Sequence, residues 1–216
     1  MSIAAFTTRK TGSSQDSPVY PFLKRATDIV GSIVLLALAL PVVLVTLLVL
    51  TITSKGRPFF VQRRVGLGGR LFPMFKFRTM RLDAERTQHQ VKNELGNDPI
   101  FKNRQEPRIT RFGRFLRRSS IDELPQLINV LLGHMSLVGP RPHPTKEVAR
   151  YQAWHRRRLA VKPGLTCLWQ IRGRSDIGFD EGVRLDVRYI KQQSLLTDLK
   201  LLVQTPFAVL SCKGAY

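Results

Sequence analysis

The feature that most restricts the fold of this chain is an uncharged run, residues 29–52, composed mainly of Leu, Val and Ala. About 24 residues in a helix would extend roughly 36 Å, enough to cross a hydrocarbon core of about 30 Å. A buried helix of a soluble protein is the alternative, but such a helix usually shows an amphipathic stripe, and none is visible here. The sequence therefore predicts a membrane-embedded segment.

Two observations favour a re-entrant segment over a simple span. Pro41 lies in the middle of the run, where a proline kinks or breaks a helix. Basic residues stand on both sides of the run, and the positive-inside rule places both flanks in the cytoplasm. A helix–break–helix that enters and leaves on one face satisfies both observations. The flanking cations are Lys24, Arg25, Lys55, Arg57, Arg63 and Arg64.

Composition restricts the partners. The 216 residues suffice for one domain with a real core plus a membrane element. The formal charge of +20 implies an acidic partner, which could be nucleic acid, anionic lipid or a phosphorylated substrate. Nucleic acid is disfavoured because aromatic residues are not interleaved with the basic ones and no recognition-helix motif is present. Cys167 and Cys212 have neither metal-ligand nor redox spacing, which suggests a reducing compartment.

The chain divides into three predicted parts: a flexible tail over residues 1–21, a re-entrant membrane hairpin over 22–54, and a cytosolic, membrane-associated catalytic domain over 55–216. Residues 59–78 alternate around a glycine turn and predict a β-hairpin. Residues 81–106 are polar and irregular, which indicates a helix and a surface loop. The predicted fold class is mixed α/β and mostly helical, with a compact catalytic domain.

Three further segments are predicted to be helical. Residues 144–159 carry the basic run Arg156–Arg158, which is either a solvated face or a site that attracts anionic lipid. Residues 180–192 place three apolar side chains on one helical face. Residues 195–210 are amphipathic, so this helix either packs on the core or lies in the membrane interface.

The segment richest in chemistry runs from Arg117 to Pro142 and contains two adjacent carboxylates, Asp122 and Glu123. Ser120 and Glu123 fit a capping box, but that register puts Pro125 where a helical hydrogen bond is required. With Asp122 as the N-cap, Pro125 falls in the first turn, where its missing N–H costs little. A plain N-cap with a solvated Glu is the simpler interpretation.

The surroundings favour a phosphate-binding site. Arg117 and Arg141 are suited to bidentate contacts with phosphate, and Pro140 and Pro142 would fix the direction of Arg141. A helix N-terminus also favours anions. Because a carboxylate and a diphosphate repel each other, a divalent cation between them is a natural addition.

These residues carry a family resemblance. Residues 120–131, read as SIDELPQLINVL, and residues 135–142, read as MSLVGPRP, resemble the bacterial sugar transferase family of monotopic polyprenyl-phosphate phosphoglycosyl transferases, in its small type that holds only the catalytic core. Further matching pieces, in the family's order, are KFRTM at 76–80, PRITRFG at 107–113, KPGLT at 162–166, GR at 173–174 and RLDVRY at 184–189.

The resemblance implies a reaction. Asp122 would attack the β-phosphate of a UDP-sugar, expel UMP and carry a covalent phosphosugar, which polyprenyl (undecaprenyl) phosphate then accepts. Mg²⁺ would bridge Asp122 and the diphosphate, and Glu123 would be a metal or proton-handling partner. The implied place is the cytoplasmic face of the bacterial plasma membrane, at the first membrane step of polysaccharide or glycoconjugate synthesis.

Three further residues each have two possible roles. Lys76 and Arg78 either line the pocket or face solvent, and Asp186 is either a carboxylate near the site or a partner of an arginine. The chain departs from the family with Leu40 where Ser often precedes the proline, Glu106 where Asp is common and Cys167 where Gly is usual. The other function class is a membrane-tethered basic binding protein for anionic lipid or nucleic acid, without catalysis. The identity of the sugar and a homo-oligomeric assembly are left open.

Overall fold

The computed structural model describes residues 19–55, 57–94, 98–101, 103, 105–173 and 177–211. Most of the structure is helical. The helices are α1 Val19–Thr53, α2 Arg111–Arg118, α3 Gln126–Leu131, α4 Thr145–Val148, α5 Leu168–Arg172, α6 Phe179–Lys191 and α7 Leu195–Leu210. The strands are β1 Phe59–Val65, β2 Leu71–Phe77, β3 Ser136–Val138 and β4 Gly164–Thr166. Residues 1–18 of the predicted tail lie outside the described residues.

The apolar run forms most of one long helix. α1 continues through Pro41, so the predicted interruption of the helix is wrong at the level of secondary structure. A proline removes one backbone hydrogen bond and introduces a ring clash, but the hydrogen bonds on either side of it can persist. By length and composition, α1 is the one helix in the described part of the chain that could cross a membrane.

Polar residues near the start of α1 tie it to the rest of the protein. Lys24 Nζ lies 2.8 Å from Oδ2 of Asp198 in α7. Arg25 donates to two carbonyl oxygens at the end of α3, both at 2.7 Å, where a cation is favoured by the helix dipole. Asp28 accepts a hydrogen bond from the backbone N–H of Leu137 in β3 at 2.9 Å. These contacts of α1 therefore fix the positions of α3 and β3.

The other end of α1 packs on the same body. Leu50 is buried against Phe77 of β2 and Leu116 of α2. Between the two ends, α1 leaves many large apolar side chains exposed, among them Val30, Ile33, Leu38, Val45 and Leu48. An exposed apolar surface of this extent marks an interaction surface.

The predicted β-hairpin is confirmed. β1 and β2 pair antiparallel, with Phe60 opposite Lys76 and Arg64 opposite Phe72. The turn contains Gly68 and Gly69 at φ angles of +62° and +85°, a conformation that glycine adopts without steric cost. β3 and β4 form a short parallel pair.

The core lies between the hairpin, α3, β3, α6 and α7. Its buried apolar side chains, which pack as one cluster, include Phe72, Met74, Leu127, Met135, Leu137, Tyr189 and Leu201. α6 and α7 lie where the sequence predicts helices. On α7 the exposed apolar side chains form a stripe, namely Leu196, Leu199, Val203, Phe207 and Leu210.

The predicted helix over residues 144–159 is wrong. The segment contains only the short helix α4 and a 3₁₀ helix over His155–Ala160. The chain turns between them because Tyr151 and Arg158 are drawn into the interior, where Tyr151 packs against Phe179 of α6. Arg156 and Arg157 remain exposed, but Arg158 does not. Residues 81–106 contain turns and one 3₁₀ helix, Gln88–Gln90, in their described part.

Gly113 of α2 lies directly against the backbone of Thr79, and a substitution at this glycine tests how closely the two segments pack. A Cβ on Gly113 would lie 2.0 Å from the backbone oxygen of Thr79. We expect Gly113→Ala to destabilise the protein by about 1–3 kcal/mol, because the backbones must separate. The matched control is Gly178→Ala, since a Cβ there meets nothing within 4 Å. Thermal unfolding in detergent measures both, and equal melting temperatures for the two variants would contradict the packing.

Candidate active site

The two adjacent carboxylates lie in a 3₁₀ turn, Ile121–Glu123, between α2 and α3. Ser120 precedes the turn in the left-handed conformation, with φ of +57°. Pro125 is the N-cap of α3, so the prediction that Asp122 caps a regular helix is wrong. The left-handed residue turns the chain sharply after α2, and the 3₁₀ turn points two successive side chains into the interior.

Glu123 is held by two cations. Lys76 Nζ lies 2.7 Å from Oε1, and Arg141 places Nη2 2.6 Å from Oε1 and Nη1 3.4 Å from Oε2. Burial alone would raise the pKa of Glu123, but Arg141 and Lys76 outweigh it and hold the pKa well below its usual range. Glu123 is therefore an ionised anchor for both cations. We call these three residues the clamp.

Asp122 is in a different situation. Its nearest cation is Lys76, with Nζ 3.7 Å from Oδ2, and its side chain is 8 % exposed. Within the described part of the chain, its carboxylate accepts no hydrogen bond from another protein group. Burial raises the pKa of Asp122; Lys76 opposes this shift and Glu123 adds to it. Asp122 thus keeps free acceptor oxygens among cations.

Arg117 and Arg141 lie near the carboxylates, and their role as phosphate contacts stays a prediction. Arg117 donates from Nε to Thr79 Oγ1 at 3.0 Å, which aims its guanidinium along the wall of the cleft. The backbone of the Arg141 segment is held on both sides: the Pro140 carbonyl accepts from a backbone N–H of β4 at 2.9 Å, and the Pro142 carbonyl accepts from Arg64 Nη1 at 3.1 Å.

Asp186 lies behind the Arg141 segment. Its Oδ2 is 2.5 Å from Arg158 Nη2, so it has the arginine partner that was one of its two predicted roles. Burial raises the pKa of Asp186 to about 6 despite this partner. Arg158 also donates to the backbone carbonyl of Arg141 at 3.0 Å. The pair therefore supports the position of Arg141.

A cleft of about 730 Å³ joins these groups. Of the predicted site residues, its lining includes Lys76, Arg78, Arg117, Asp122, Glu123, Arg141 and Asp186. Arg78 is more exposed, and its guanidinium donates to the backbone carbonyls of Arg57 and Phe59. Lining residues that the sequence did not single out as site residues include Arg64, Thr79, His143, Glu147 and Arg158. In the sequence, Arg158 was noted only as part of the basic run Arg156–Arg158.

The carboxylates allow one kind of metal site. In the described part of the chain, no three His, Cys, Asp or Glu side chains are grouped so that they could hold a metal ion. Glu123 is occupied by the clamp, whereas Asp122 has free oxygens. One carboxylate combined with substrate phosphate oxygens is a usual environment for Mg²⁺, so the residues fit a cation held largely by substrate.

Comparison with known proteins identifies the family. Residues 19–212 match the model of the bacterial sugar transferase family. The chain belongs to this family. It is 46 % identical over 196 residues to the galactosyl transferase CpsE of Streptococcus agalactiae, covering 89 % of the chain and 43 % of the relative. The undecaprenyl-phosphate galactose phosphotransferase of Salmonella typhimurium is 45 % identical over 204 residues, with 90 % and 42 % covered.

The exopolysaccharide production protein ExoY of Sinorhizobium fredii is 35 % identical over 218 residues, which cover 99 % of the chain and 96 % of the relative. The chain therefore spans nearly the full length of ExoY, but less than half the length of the two relatives named before it. The family resemblance drawn from the sequence is confirmed.

The clamp predicts a pH dependence of stability. Because the pKa of Glu123 is far below its ordinary value of 4.5, its ion pairs stabilise the fold above about pH 4.5, and this stabilisation is lost as the pH falls below that value. At pH 6 we expect Glu123→Gln to cost about 3 kcal/mol, since two buried cations lose their partner. The gap in melting temperature between wild type and variant should narrow from pH 6 to pH 3.5.

The control for this experiment is Glu181→Gln. Glu181 is 54 % exposed and lies 4.0 Å from its arginine partner, so its substitution should change the melting temperature little at any pH. A gap for Glu123→Gln that stays constant with pH would show that the Glu123 carboxylate is not the stabilising group.

Proposed function

We propose that this protein transfers a sugar phosphate from a UDP-sugar to undecaprenyl phosphate and releases UMP. Similar proteins are named for related reactions, among them a UDP-glucose:undecaprenyl-phosphate glucose-1-phosphate transferase of Caulobacter vibrioides, 41 % identical over 203 residues. The observation that carries the proposal is the contrast between the two carboxylates: Glu123 is locked by two cations, while Asp122 faces the cleft with free oxygens. The comparisons give no support to a non-catalytic binding protein.

The proposed reaction has two steps. In the first, a carboxylate oxygen of Asp122 forms a bond to the β-phosphorus of the UDP-sugar, and the bond between that phosphorus and the bridging oxygen breaks to release UMP. The product is an acyl phosphate that carries the sugar. In the second step, a phosphate oxygen of the lipid attacks the same phosphorus, and the Asp122 carboxylate leaves. Atoms and charge balance without a further reactant.

The neighbouring cations would position the donor and stabilise its charge. Arg117 and Arg141 lie on the cleft wall, and Lys76 lies next to Asp122. A fixed guanidinium binds phosphate without reorganisation, which favours the transition state. In this proposal Glu123 positions Arg141 and Lys76 rather than moving protons. Mg²⁺, held by Asp122 and the diphosphate, would neutralise part of the phosphate charge.

The membrane arrangement follows from α1. Its start contacts α3, β3 and α7, and its end contacts β2 and α2. A straight helix of 35 residues would carry one end away from these elements, so we infer that α1 bends without losing its helical structure and follows a re-entrant course with both ends on the cytoplasmic face. The exposed stripe of α7 would lie in the membrane interface, and exposed cations such as Arg156 and Arg157 would meet anionic lipid.

Covalent transfer is tested at Asp122. UDP-sugar with Mg²⁺ and no lipid acceptor should leave a sugar phosphate on the wild-type protein, detected by intact-protein mass spectrometry. Asp122→Asn keeps the shape of the side chain but is a far weaker nucleophile, so it should fold normally and form neither adduct nor product. The control is Asp83→Asn, which alters an exposed ion pair with Arg81 and should still form the adduct.

Two results would revise the mechanism. An adduct that survives in Asp122→Asn would pass the nucleophilic role to Glu123. A wild-type protein that forms no adduct and releases UMP only when both substrates are present would indicate direct transfer.

The re-entrant course is tested by labelling in intact cells. Single cysteines replace Ser13 or Ser54 in a variant without Cys167 and Cys212, and a charged, membrane-impermeant thiol reagent is added before or after permeabilisation. Both positions should react only after permeabilisation. A cysteine at Leu38, which is 73 % exposed in the middle of the apolar run, is the control and should stay unreactive. Labelling of Ser13→Cys from outside would show that α1 spans the membrane.

A further inference from the structure

A second group of polar side chains lines the cleft, and the proposed phosphate chemistry does not use it. It consists of Arg64 on β1, His143 after the Arg141 segment and Glu147 on α4. His143 Nδ1 lies 3.1 Å from Glu147 Oε2. We call these three residues the distal triad.

Two N–H groups of the distal triad lack partners. Arg64 Nε and His143 Nδ1 are buried and form no hydrogen bond within the part of the chain that the structure describes, and the contact of Nδ1 with Glu147 lacks hydrogen-bond alignment. Leaving a buried polar group without a partner is costly, and native structures do so rarely. Two such groups on residues that line the same cleft indicate that a ligand supplies the missing acceptors.

The protonation of His143 follows from its neighbours. Burial and the nearby Arg158, Arg64 and Arg141 lower its pKa well below the usual value, so the ring is neutral. Nε2 faces Arg158 Nη1 at 3.2 Å and must accept from it. The proton is therefore assigned to Nδ1. The distal triad then offers two donors, Arg64 Nε–H and His143 Nδ1–H, together with the Glu147 carboxylate as acceptor.

The distance from the catalytic end suits a nucleotide. Phe60 pairs with Lys76 across the hairpin, and Arg64 lies four residues further along β1 on the same face, about 13 Å away at the rise of a strand. Arg141 and His143 are two residues apart in a segment without helix or sheet, a separation of about 7 Å if the chain is extended. A donor with its β-phosphate at Asp122 would place its base near the distal triad.

The hydrogen-bonding edge of uracil matches this set. It presents an acceptor, a donor and an acceptor: O4, N3–H and O2. We propose that Arg64, Glu147 and His143 recognise the uracil base of the donor nucleotide, with Glu147 accepting from N3–H and the two N–H groups donating to the carbonyl oxygens. The inference rests on the proposed use of a UDP-sugar. Cytosine presents a donor and two acceptors, and would leave Glu147 facing the lone pair of N3.

The surroundings suit a base in two further respects. The apolar residues Ile100 and Phe101 line the cleft, and the backbone N–H of Phe101 donates to Glu147 Oε1 at 3.4 Å, so the segment that carries them lies beside the distal triad. The two N–H groups lie beneath the cleft surface. Base binding therefore includes a turn of the Glu147 side chain, which now lies against His143 and would then face N3–H.

The first test changes the ligand and leaves the protein intact. The full chain in detergent is titrated calorimetrically with UDP, 3-methyl-UDP, 5-methyl-UDP and CDP. The two methylated analogues add the same group, but only the methyl on N3 removes the donor that Glu147 would meet. We expect 3-methyl-UDP and CDP to bind at least about tenfold more weakly than UDP, because they leave buried groups unpaired. 5-Methyl-UDP should bind within about threefold of UDP, since a single methyl contact changes affinity modestly.

The second test changes the protein. Glu147→Gln supplies an amide that can donate to N3 of cytosine, so the preference for UDP over CDP should narrow by at least about tenfold. The control Glu181→Gln should keep the wild-type preference. If Glu147→Gln does not fold, the ligand series on the wild type decides alone.

The outcomes separate this inference from the proposed function. Equal binding of 3-methyl-UDP and 5-methyl-UDP, or an unchanged preference in folded Glu147→Gln, overturns base recognition by the distal triad even if UDP-sugar is still converted. Absence of UDP binding together with absence of UMP release overturns the proposed function, and this inference with it.

Discussion

The arrangement of the site depends on one buried interaction, the clamp of Glu123 with Arg141 and Lys76. It joins three pieces of chain: strand β2, the 3₁₀ turn and the Pro-Arg-Pro segment. Breaking a buried ion pair by removing one partner is strongly destabilising, because the other charge stays buried without compensation. The clamp therefore fixes the wall of the cleft at the point where phosphate would bind. It also separates two adjacent carboxylates into a locked one and a free one, whose pKa values shift in opposite directions.

The clamp is itself held in place by residues that are distant from it in the sequence. Arg158, anchored by Asp186, donates to the carbonyl of Arg141. Arg25 and Asp28 connect α1 to α3 and β3, the elements between the 3₁₀ turn and the Pro-Arg-Pro segment. Direct contacts thus link the position of α1 to the geometry at the carboxylates. For an enzyme whose acceptor is a membrane lipid, such a connection would keep the nucleophile at a constant depth relative to the bilayer.

The features that could be predicted from the sequence are those that depend on local sequence patterns. The hairpin, α6 and α7 follow from alternation, glycine turns and apolar periodicity, and the carboxylate pair with its arginines was visible as a compact motif. What the sequence did not show depends on distant partners. Glu123 meets Arg141 and Lys76 across 18 and 47 positions, and the burial of Arg158 depends on Asp186 in another helix. The 3₁₀ turn was missed because capping patterns describe regular helices. The family assignment depended on the identity of the motifs and on their order along the chain. Errors in predicting individual helices therefore did not affect it.

The charges around Asp122 explain why one protein carboxylate could suffice for a divalent cation. Lys76, Arg117 and Arg141 contribute three positive charges, and Asp122 and Glu123 contribute two negative ones, which leaves a net charge of +1 (3 − 2). A diphosphate diester brings −2 into this buried space, so the sum becomes −1 before any metal binds. Isolated charge in a low-dielectric site is costly. A divalent cation brings the sum to +1 again and can be held mainly by the diphosphate it accompanies, so the protein needs to supply only the free carboxylate. In the proposed reaction Asp122 would be that carboxylate, because the clamp holds Glu123 and not Asp122.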